Sequence, residues 1–431
     1  MAAKEKGKKA APKPDLKWWR EARFGMFIHW GLYAAAARHE WVKHRECITD
    51  ADYQKYFDHF DPDLYDPKAW ARAAKDAGMK YFVITTKHHE GFCLWDSKHT
   101  DYKATNTPCG KDLLKPMVKA FRNEGLRVGF YYSLIDWHHP EFPVDRIHPQ
   151  RDDQAFREAT KGRDVTKYAK YMRDQVKELL TQFGQVDQIF YDFSYPGEDG
   201  KGRDDWESEK LLALTRELMP KIIVDDRLDL NDVKGGWDFR TPEQFMAREW
   251  VTLNGKRVPW ETCQTFSGSW GYYRDEETWK SVEQIVVMLA DTVSKGGNLL
   301  LNVGPTARGT FDDRALARLE GMGRWMKLHG RAIYGCTQAP DEFPKPDNCI
   351  LTYNKKAKRL YVHVLSWPIR ELYLDGFAGK VEYAQLLNDA SEVFMTEGTP
   401  HGQPDRETLT LELPVQRPDA ALPVIELFLK S

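Results

Sequence analysis

The feature that most constrains this sequence is a repeated pairing: a short apolar run that ends on a polar side chain. Six such runs stand out, Phe24–Trp30, Lys80–Thr86, Arg127–Ser133, Gln188–Phe193, Ile222–Arg227 and Asn298–Val303. They are nearly continuous in β-branched and aromatic residues, the pattern of parallel strands covered on both faces. Amphipathic helical segments separate them. Tyr168, Tyr171, Met172, Val176, Leu179 and Leu180 share one face at the 3.6-residue period, and Trp279, Val282, Ile285, Val286 and Leu289 share another. Repeated strand-then-helix order leaves a doubly wound sheet or a parallel barrel. No GxGxxG follows the first run, which removes the simplest dinucleotide-binding sheet. The polar residues at the run ends are His29, His88 with His89, Asp136, Asp192, Arg227 and Asn302. They favour the barrel, because that rim is where a (β/α) barrel gathers its chemistry. Two strands are poorly marked, and one is expected near Trp260–Thr265.

After Gly335 the period changes. Leu351–Tyr353, Leu360–Leu365, Leu409–Leu413 and Ile425–Leu429 alternate apolar with polar and are punctuated by Pro and Gly, as antiparallel strands are. The expected fold is therefore α/β: a TIM-like (β/α) barrel over 17–335 and a C-terminal antiparallel β-sandwich over 336–431. A flexible basic tail, 1–16, precedes them, with Lys4, Lys6, Lys8, Lys9 and Lys13. The tail has no apolar core and is not a secretory signal.

Composition excludes several functions. Lys+Arg number 63 and Asp+Glu 65, a net charge of −2 that argues against nucleic acid or a membrane surface as partner. No apolar run approaches the roughly 18 residues of a membrane span. The six cysteines are scattered without a CxxC pair, so mostly free thiols are expected rather than a zinc knuckle or a dense disulfide framework, with one or two bridges left open. Aromatic residues make up 13% of the chain, enough to fill a core and still leave rings for the faces of a sugar.

The run ends supply candidate chemistry. His29 of FGMFIHWG reads either as a hydrogen-bonded core histidine or as a rim ligand. His88 and His89 of KHHEGFCLWDS are adjacent, so at most one faces the barrel axis unless the strand has already turned into loop. Asp192 of QIFYDF stands at the barrel mouth, where a carboxylate is hydrogen-bonded, capping a helix, or working. Asp238, Arg240 and Glu243 of WDFRTPEQF follow Gly235 and Gly236 and are expected on a mobile, solvated loop. PWETCQTFSGSWGYYR mixes polar and aromatic residues; Glu261 is a second candidate acid and Trp270 a pocket wall. The first strand lacks the HxH of metal-dependent amidohydrolase barrels and no HExxH is present, so no metal is expected.

Together these motifs resemble a family. FGMFIHWG, KHHEGFCLWDS, GFYYSLIDWHHP, QIFYDF, TPE, PWETCQTFSGSWGY and NLLLNVGPTARG occur in the order of the α-L-fucosidases, family 29 of the glycoside hydrolases, from about Trp18 to Gly335. The resemblance implies a retaining exo-α-L-fucosidase acting on fucosylated oligosaccharides or glycoconjugates, with no cofactor. It implies Asp192 as nucleophile and Glu243 as acid/base, with Glu261 in reserve. It carries over His29, Glu40 and Trp41 of HEWV, His88, His89, Tyr132, Arg227 and Trp270 as sugar-binding residues. The family usually has Trp two positions before the nucleophile; Phe190 stands there instead. Fucose is a 6-deoxy sugar whose methyl needs an apolar wall, which Phe190 and Trp270 supply. Trp41, Trp95 and Trp137 are expected near the same rim. The resemblance also implies a periplasmic, secreted or lysosomal home, although no signal segment is seen. Two other readings stay open here: a related barrel glycosidase for another sugar, such as an α-galactoside, and a catalytically silent glycan-binding protein. Linkage, aglycone, transfer against hydrolysis and oligomeric state are not legible.

Overall fold

A computed structural model describes residues 14–400 and 404–430. Lys4, Lys6, Lys8, Lys9 and Lys13 of the expected basic tail lie outside them. Within that expected tail, Asp15 is placed and caps the first helix, Leu16–Ala22, by accepting from Lys17 N.

The barrel strands are β1 (Phe24–Ile28), β2 (Tyr81–Lys87), β3 (Arg127–Ser133), β4 (Gln188–Asp192) and β5 (Ile223–Val224). A two-stranded hairpin follows, β6 (Thr252–Leu253) with β7 (Lys256–Arg257), and then β8 (Glu261–Thr265) and β9 (Asn298–Val303). Seven of these form one parallel curled sheet in the order β5-β4-β3-β2-β1-β9-β8. The expected run Ile222–Arg227 pairs over two residues only. Beyond Val224, side chains take over the backbone's partners: Asp225 Oδ1 accepts from Tyr191 N, and Asp226 Oδ1 accepts from Thr241 N.

The gap between β5 and β8 is bridged by residues 238–244. Asp238 N donates to Val224 O, Arg240 N to Pro259 O, and Gln244 N to Cys263 O. Glu261 N and Cys263 N donate back, to Arg240 O and Pro242 O. The WDFRTPEQF segment is therefore not the free loop expected from its glycines. It stands as an irregular strand because its backbone groups have ladder partners on both sides. That docking fixes where Glu243 stands.

Side chains alternate across the sheet as the pleat requires. Phe27, Val83, Tyr131, Phe190, Ile223, Cys263 and Leu300 point inward and pack with Trp19, Phe239 and Trp270. Met26, Phe82, Phe130, Ile189 and Leu301 point outward against the helices. The helix Val165–Gln182 covers this face with Tyr168, Met172, Val176, Leu179 and Leu180. Each such buried side chain stabilises by roughly 1.5–3 kcal/mol. In the helix Val282–Ser294, Ser281 and Gln284 form a capping box, so Trp279 stands before the helix rather than on it.

The C-terminal strands are β10 (Thr337–Gln338), β11 (Cys349–Asn354), β12 (Arg359–Val364), β13 (Glu371–Leu374), β14 (Val381–Leu386), β15 (Phe394–Glu397), β16 (Leu409–Glu412) and β17 (Val424–Leu429). They form antiparallel sheets in the orders β10-β11-β12-β17-β14 and β13-β16-β15. Leu351, Leu360, Val362, Leu409, Leu411 and Leu427 fill the space between them. The opposite face of the larger sheet, with Ile350, Tyr361 and Val424, joins the core of the barrel's helices. Cys47, Cys93, Cys109, Cys263, Cys336 and Cys349 are all free thiols, and all but Cys47 are buried. Among the described residues no helix is long and apolar enough to cross a membrane.

Candidate active site

At the C-terminal ends of the barrel strands a cavity of about 50 Å³ is lined by Phe27, His29, Trp41, His88, His89 and Tyr131, and by Phe190, Asp192, Phe193, Arg227, Glu243, Cys263 and Trp270. Larger cavities exist elsewhere, one of about 570 Å³ between the hairpin and the C-terminal sheets. The rim cavity is the one where carboxylates, imidazoles and a guanidinium converge.

Asp192 ends β4 and is 8% exposed. Its Oδ2 accepts from the Tyr131 hydroxyl at 2.7 Å, and its Oδ1 accepts from Arg227 Nη1 at 2.6 Å. The other end of the same guanidinium, Nη2, lies 2.8 Å from Glu243 Oε2. One planar group therefore joins both carboxylates. Arg227 is itself aimed by Thr241, whose hydroxyl accepts from Nε at 2.9 Å and whose carbonyl accepts from Nη2 at 3.2 Å. Burial pulls the guanidinium's pKa down, but the neighbouring acidic groups, Asp192 first and then Cys263, Glu243 and Asp225, outweigh it and hold it well above its ordinary value. Burial, then the Asp192 charge, likewise pushes the Tyr131 hydroxyl well up, so it stays a donor.

His88 and His89 both line the cavity because the strand stops at Lys87. Gly91 N donates to His88 O at 3.0 Å, closing a tight turn, and Gly91 takes φ +86°, which suits glycine. The turn cancels the strand alternation that would have sent one ring outward. His89 Nδ1 contacts Ser133 Oγ at 2.7 Å, and that hydroxyl donates onward to Ile135 O. The imidazole must therefore be the donor, leaving Nε2 unprotonated on the Asp192 side, 3.9 Å from Oδ2. His29 follows the same logic. Its Nδ1 contacts Asn302 Oδ1 at 2.6 Å, and the Asn302 amide nitrogen donates to Trp270 O, which fixes the amide's direction. Burial drives both His29 and His89 well below the ordinary imidazole range, so both are neutral.

Two of the residues carried over from sequence stand elsewhere, and a third, Glu40, adjoins the cavity through the loop of Trp270. Tyr132 lies on the helix side of β3, its hydroxyl donating to Gln175 Oε1 at 2.8 Å. The strand's two-residue period puts its neighbour Tyr131 in the cavity instead. Glu261 is fully buried at the opposite, N-terminal end of the barrel, where Trp19 Nε1, the Tyr81 hydroxyl and Gln188 Nε2 all donate to it. It opens onto no cavity with Asp192. Glu40 accepts from Trp270 N and Gly271 N at 3.1 and 2.8 Å, so it pins the loop that carries Trp270. Trp41 lines the cavity against His89 and Phe193, and Trp137 packs behind it. Trp95 is away on the helix side, its Nε1 donating to Glu178. Among rim polar groups, Asp136 is turned to Lys87 in a buried pair at 3.1 Å. Phe27, Tyr131, Phe193 and Cys263 are the lining residues that sequence reasoning did not single out. The inward parity of β1, β3 and β8 is the signal that identifies Phe27, Tyr131 and Cys263. No group of three or more His, Cys, Asp or Glu side chains able to hold a metal ion occurs among the described residues.

Comparison with known proteins agrees across sequence and structure. A family model described as alpha-L-fucosidase matches residues 2–331. The chain is 31% identical to the plasma alpha-L-fucosidase of Rattus norvegicus, covering 93% of this chain and 88% of that protein. Alpha-L-fucosidase isoenzyme 1 from Paenibacillus thiaminolyticus superposes with a TM-score of 0.90 at 45% identity, over 96% of this chain and 99% of that one. An alpha-L-fucosidase from Bacteroides thetaiotaomicron, solved as a trapped covalent intermediate with 2-fluoro-fucosyl fluoride, superposes with a TM-score of 0.83 at 30% identity, over 99% of both chains.

Proposed function

The chain belongs to the α-L-fucosidase family of glycoside hydrolases, and on that premise we propose that it cleaves terminal α-L-fucose through a covalent fucosyl–Asp192 intermediate, with Glu243 as acid/base. The observation that carries this reading is the Arg227 guanidinium, which bonds Asp192 on one side and Glu243 on the other. A double displacement at one carbon needs two carboxyls facing across a narrow gap, and a shared guanidinium keeps this pair close.

The step runs as follows. Asp192 attacks the anomeric carbon as the glycosidic oxygen leaves with the proton of Glu243. The carboxylate of Glu243 then takes a proton from water, which attacks the same carbon and releases Asp192. Tyr131 and Arg227 hold the Asp192 carboxylate in place for attack by donating to its two oxygens, and receive its charge again after release. Glu243, its side chain 41% exposed, is open to the incoming glycosidic oxygen to which it passes the proton. Neutral His29 and His89, with Nδ1 committed behind them, offer Nε2 as acceptors for sugar hydroxyls. Phe27, Phe190 and Trp270 supply apolar faces; the Phe27 ring centroid is 5.5 Å from Phe190 and 5.8 Å from Trp270. The catalytic part is residues 17–335 and the β-sandwich 336–431, a division supported by the separate core between the two antiparallel sheets.

Following the first-formed sugar by NMR during hydrolysis of an aryl α-L-fucoside tests the two-step route. The α anomer is expected first; initial release of the β anomer would rule out the covalent intermediate.

A further inference from the structure

Three imidazoles line the pocket, and each turns Nδ1 to a group behind it. For His29 and His89 that group is neutral, the Asn302 amide oxygen and the Ser133 hydroxyl. For His88 it is a carboxylate, with Glu90 Oε2 at 3.5 Å from Nδ1. Glu90 is 1% exposed, and no hydrogen bond reaches either of its oxygens. Among the described residues, His88 is the one basic side chain within ion-pair distance of it. His88 Nδ1 in turn makes no hydrogen bond. A buried carboxylate without a partner is costly, so this pair is each group's available compensation.

The fold builds the juxtaposition from both sides. The tight turn from His88 to Gly91 brings Glu90 back against the ring that precedes it by two residues. Opposite, the absence of a side chain at Gly31 makes room, because a Cβ there would stand 2.8 Å from Glu90 Oε1. The surroundings are otherwise aromatic. Burial first, and the Glu90 charge second, raise the hydroxyls of Tyr33, Tyr53 and Tyr102 well above their ordinary range.

We propose that Glu90 is a positioning residue for sugar recognition: it holds the proton of His88 on Nδ1, so that Nε2 is the nitrogen His88 turns to the fucose. This rests on the reading of the pocket as the fucose site. With it, all three imidazoles carry their proton at the back and present Nε2 at the front, and Glu90 is the group that imposes this on His88.

The test is a cycle on the full-length enzyme. Glu90→Leu removes the acceptor with little change of bulk, Glu90→Gln restores a neutral acceptor, and His88→Gln removes the imidazole. The readouts are Ki for L-fucose, kcat and KM for an aryl α-L-fucoside, and the thermal midpoint. Glu90→Leu and His88→Gln are each expected to raise Ki about tenfold, and the double variant no more than about twofold beyond His88→Gln alone. Glu90→Gln is expected to recover most of the loss. Additive effects, or an unchanged Ki in Glu90→Leu beside a raised one in His88→Gln, would overturn the proposal while leaving the pocket reading intact. An unchanged Ki in His88→Gln would instead sink the sugar-binding role of His88, and the proposal with it. Nitrogen-15 NMR of the histidine-labelled wild-type enzyme needs no Glu90 variant. His88, assigned by its loss in His88→Gln, should show a protonated Nδ1 and a fucose-dependent shift at Nε2; an unprotonated Nδ1 contradicts the proposal.

Discussion

The two ends of the barrel each hold a buried carboxylate ringed by donors, and they have opposite characters. At the C-terminal rim, Asp192 accepts from Tyr131 and from a full guanidinium charge, and it opens onto a cavity shared with Glu243. At the N-terminal floor, Glu261 accepts from Trp19, Tyr81 and Gln188, all neutral, and faces only protein. Burial pushes the Glu261 carboxyl up to about 7 despite those three donors. On the proposed assignment, donors alone do not make a working carboxylate. A compensating charge and an open face decide it.

The comparison breaks if the two carboxylates prove interchangeable. Asp192→Ala should lower kcat on an aryl α-L-fucoside by at least about 10⁴-fold, as loss of a nucleophile does, while Glu261→Gln should keep most of the activity at pH 6. Near-normal turnover in the first variant, or a collapse in the second without unfolding, would reverse the assignment. Next in size is Glu243→Ala. Substrates with poor leaving groups should lose about 10²- to 10³-fold, the scale of general acid catalysis, and activated aryl fucosides far less. An equal loss on both would take the acid role from Glu243.

The floor can be probed through stability. Glu261 has its pKa raised on folding, from 4.5 to about 7, so the folded state holds its proton more tightly than the unfolded state. Its stabilising contribution is fully present below pH 4.5 and is lost as pH rises through 7, to an extent of about 3 kcal/mol. Glu261→Gln should remove that slope, measured as urea midpoints at pH 5 and pH 8. A wild-type midpoint that does not fall over this range, beyond the slope of the variant, contradicts the assigned shift. The smallest expected effect separates two neighbours on β3. Tyr131→Phe should cut kcat/KM by about tenfold, the value of one charge-assisted hydrogen bond. Tyr132→Phe should leave kcat/KM nearly unchanged and cost about 1 kcal/mol of stability through the lost bond to Gln175. The reverse pattern would mean that the register of β3 differs from the one described.

How much of this was legible in the sequence follows the same division. The strands that form ladders were readable, because near-continuous apolar runs are what doubly covered strands require. Asp192, Arg227 and the rim histidines followed from their place at the ends of those runs. The element between β5 and β8 was not readable, since residues 238–244 hold their place through backbone bonds to neighbours distant in sequence rather than through an apolar period. The family resemblance points to Tyr132, whereas parity counted from Asp192 across the β3–β4 pairing selects Tyr131. Glu261 looked like a rim acid because it follows a Pro–Trp pair in a polar segment. It begins β8 rather than ending it, which places it at the floor. The β-sandwich was half visible: β13 and β15 carry exposed apolar residues, Tyr373 and Phe394, that blur the alternation.

The most direct test of the account is to trap the intermediate. The wild-type enzyme is treated with 2-fluoro-fucosyl fluoride, digested, and its peptides are sequenced by mass spectrometry. One fluorofucosyl group per chain on Asp192, absent from Asp192→Ala, is the predicted result. A label on Glu243 or Glu261, or turnover that proceeds with no label at all, would contradict it.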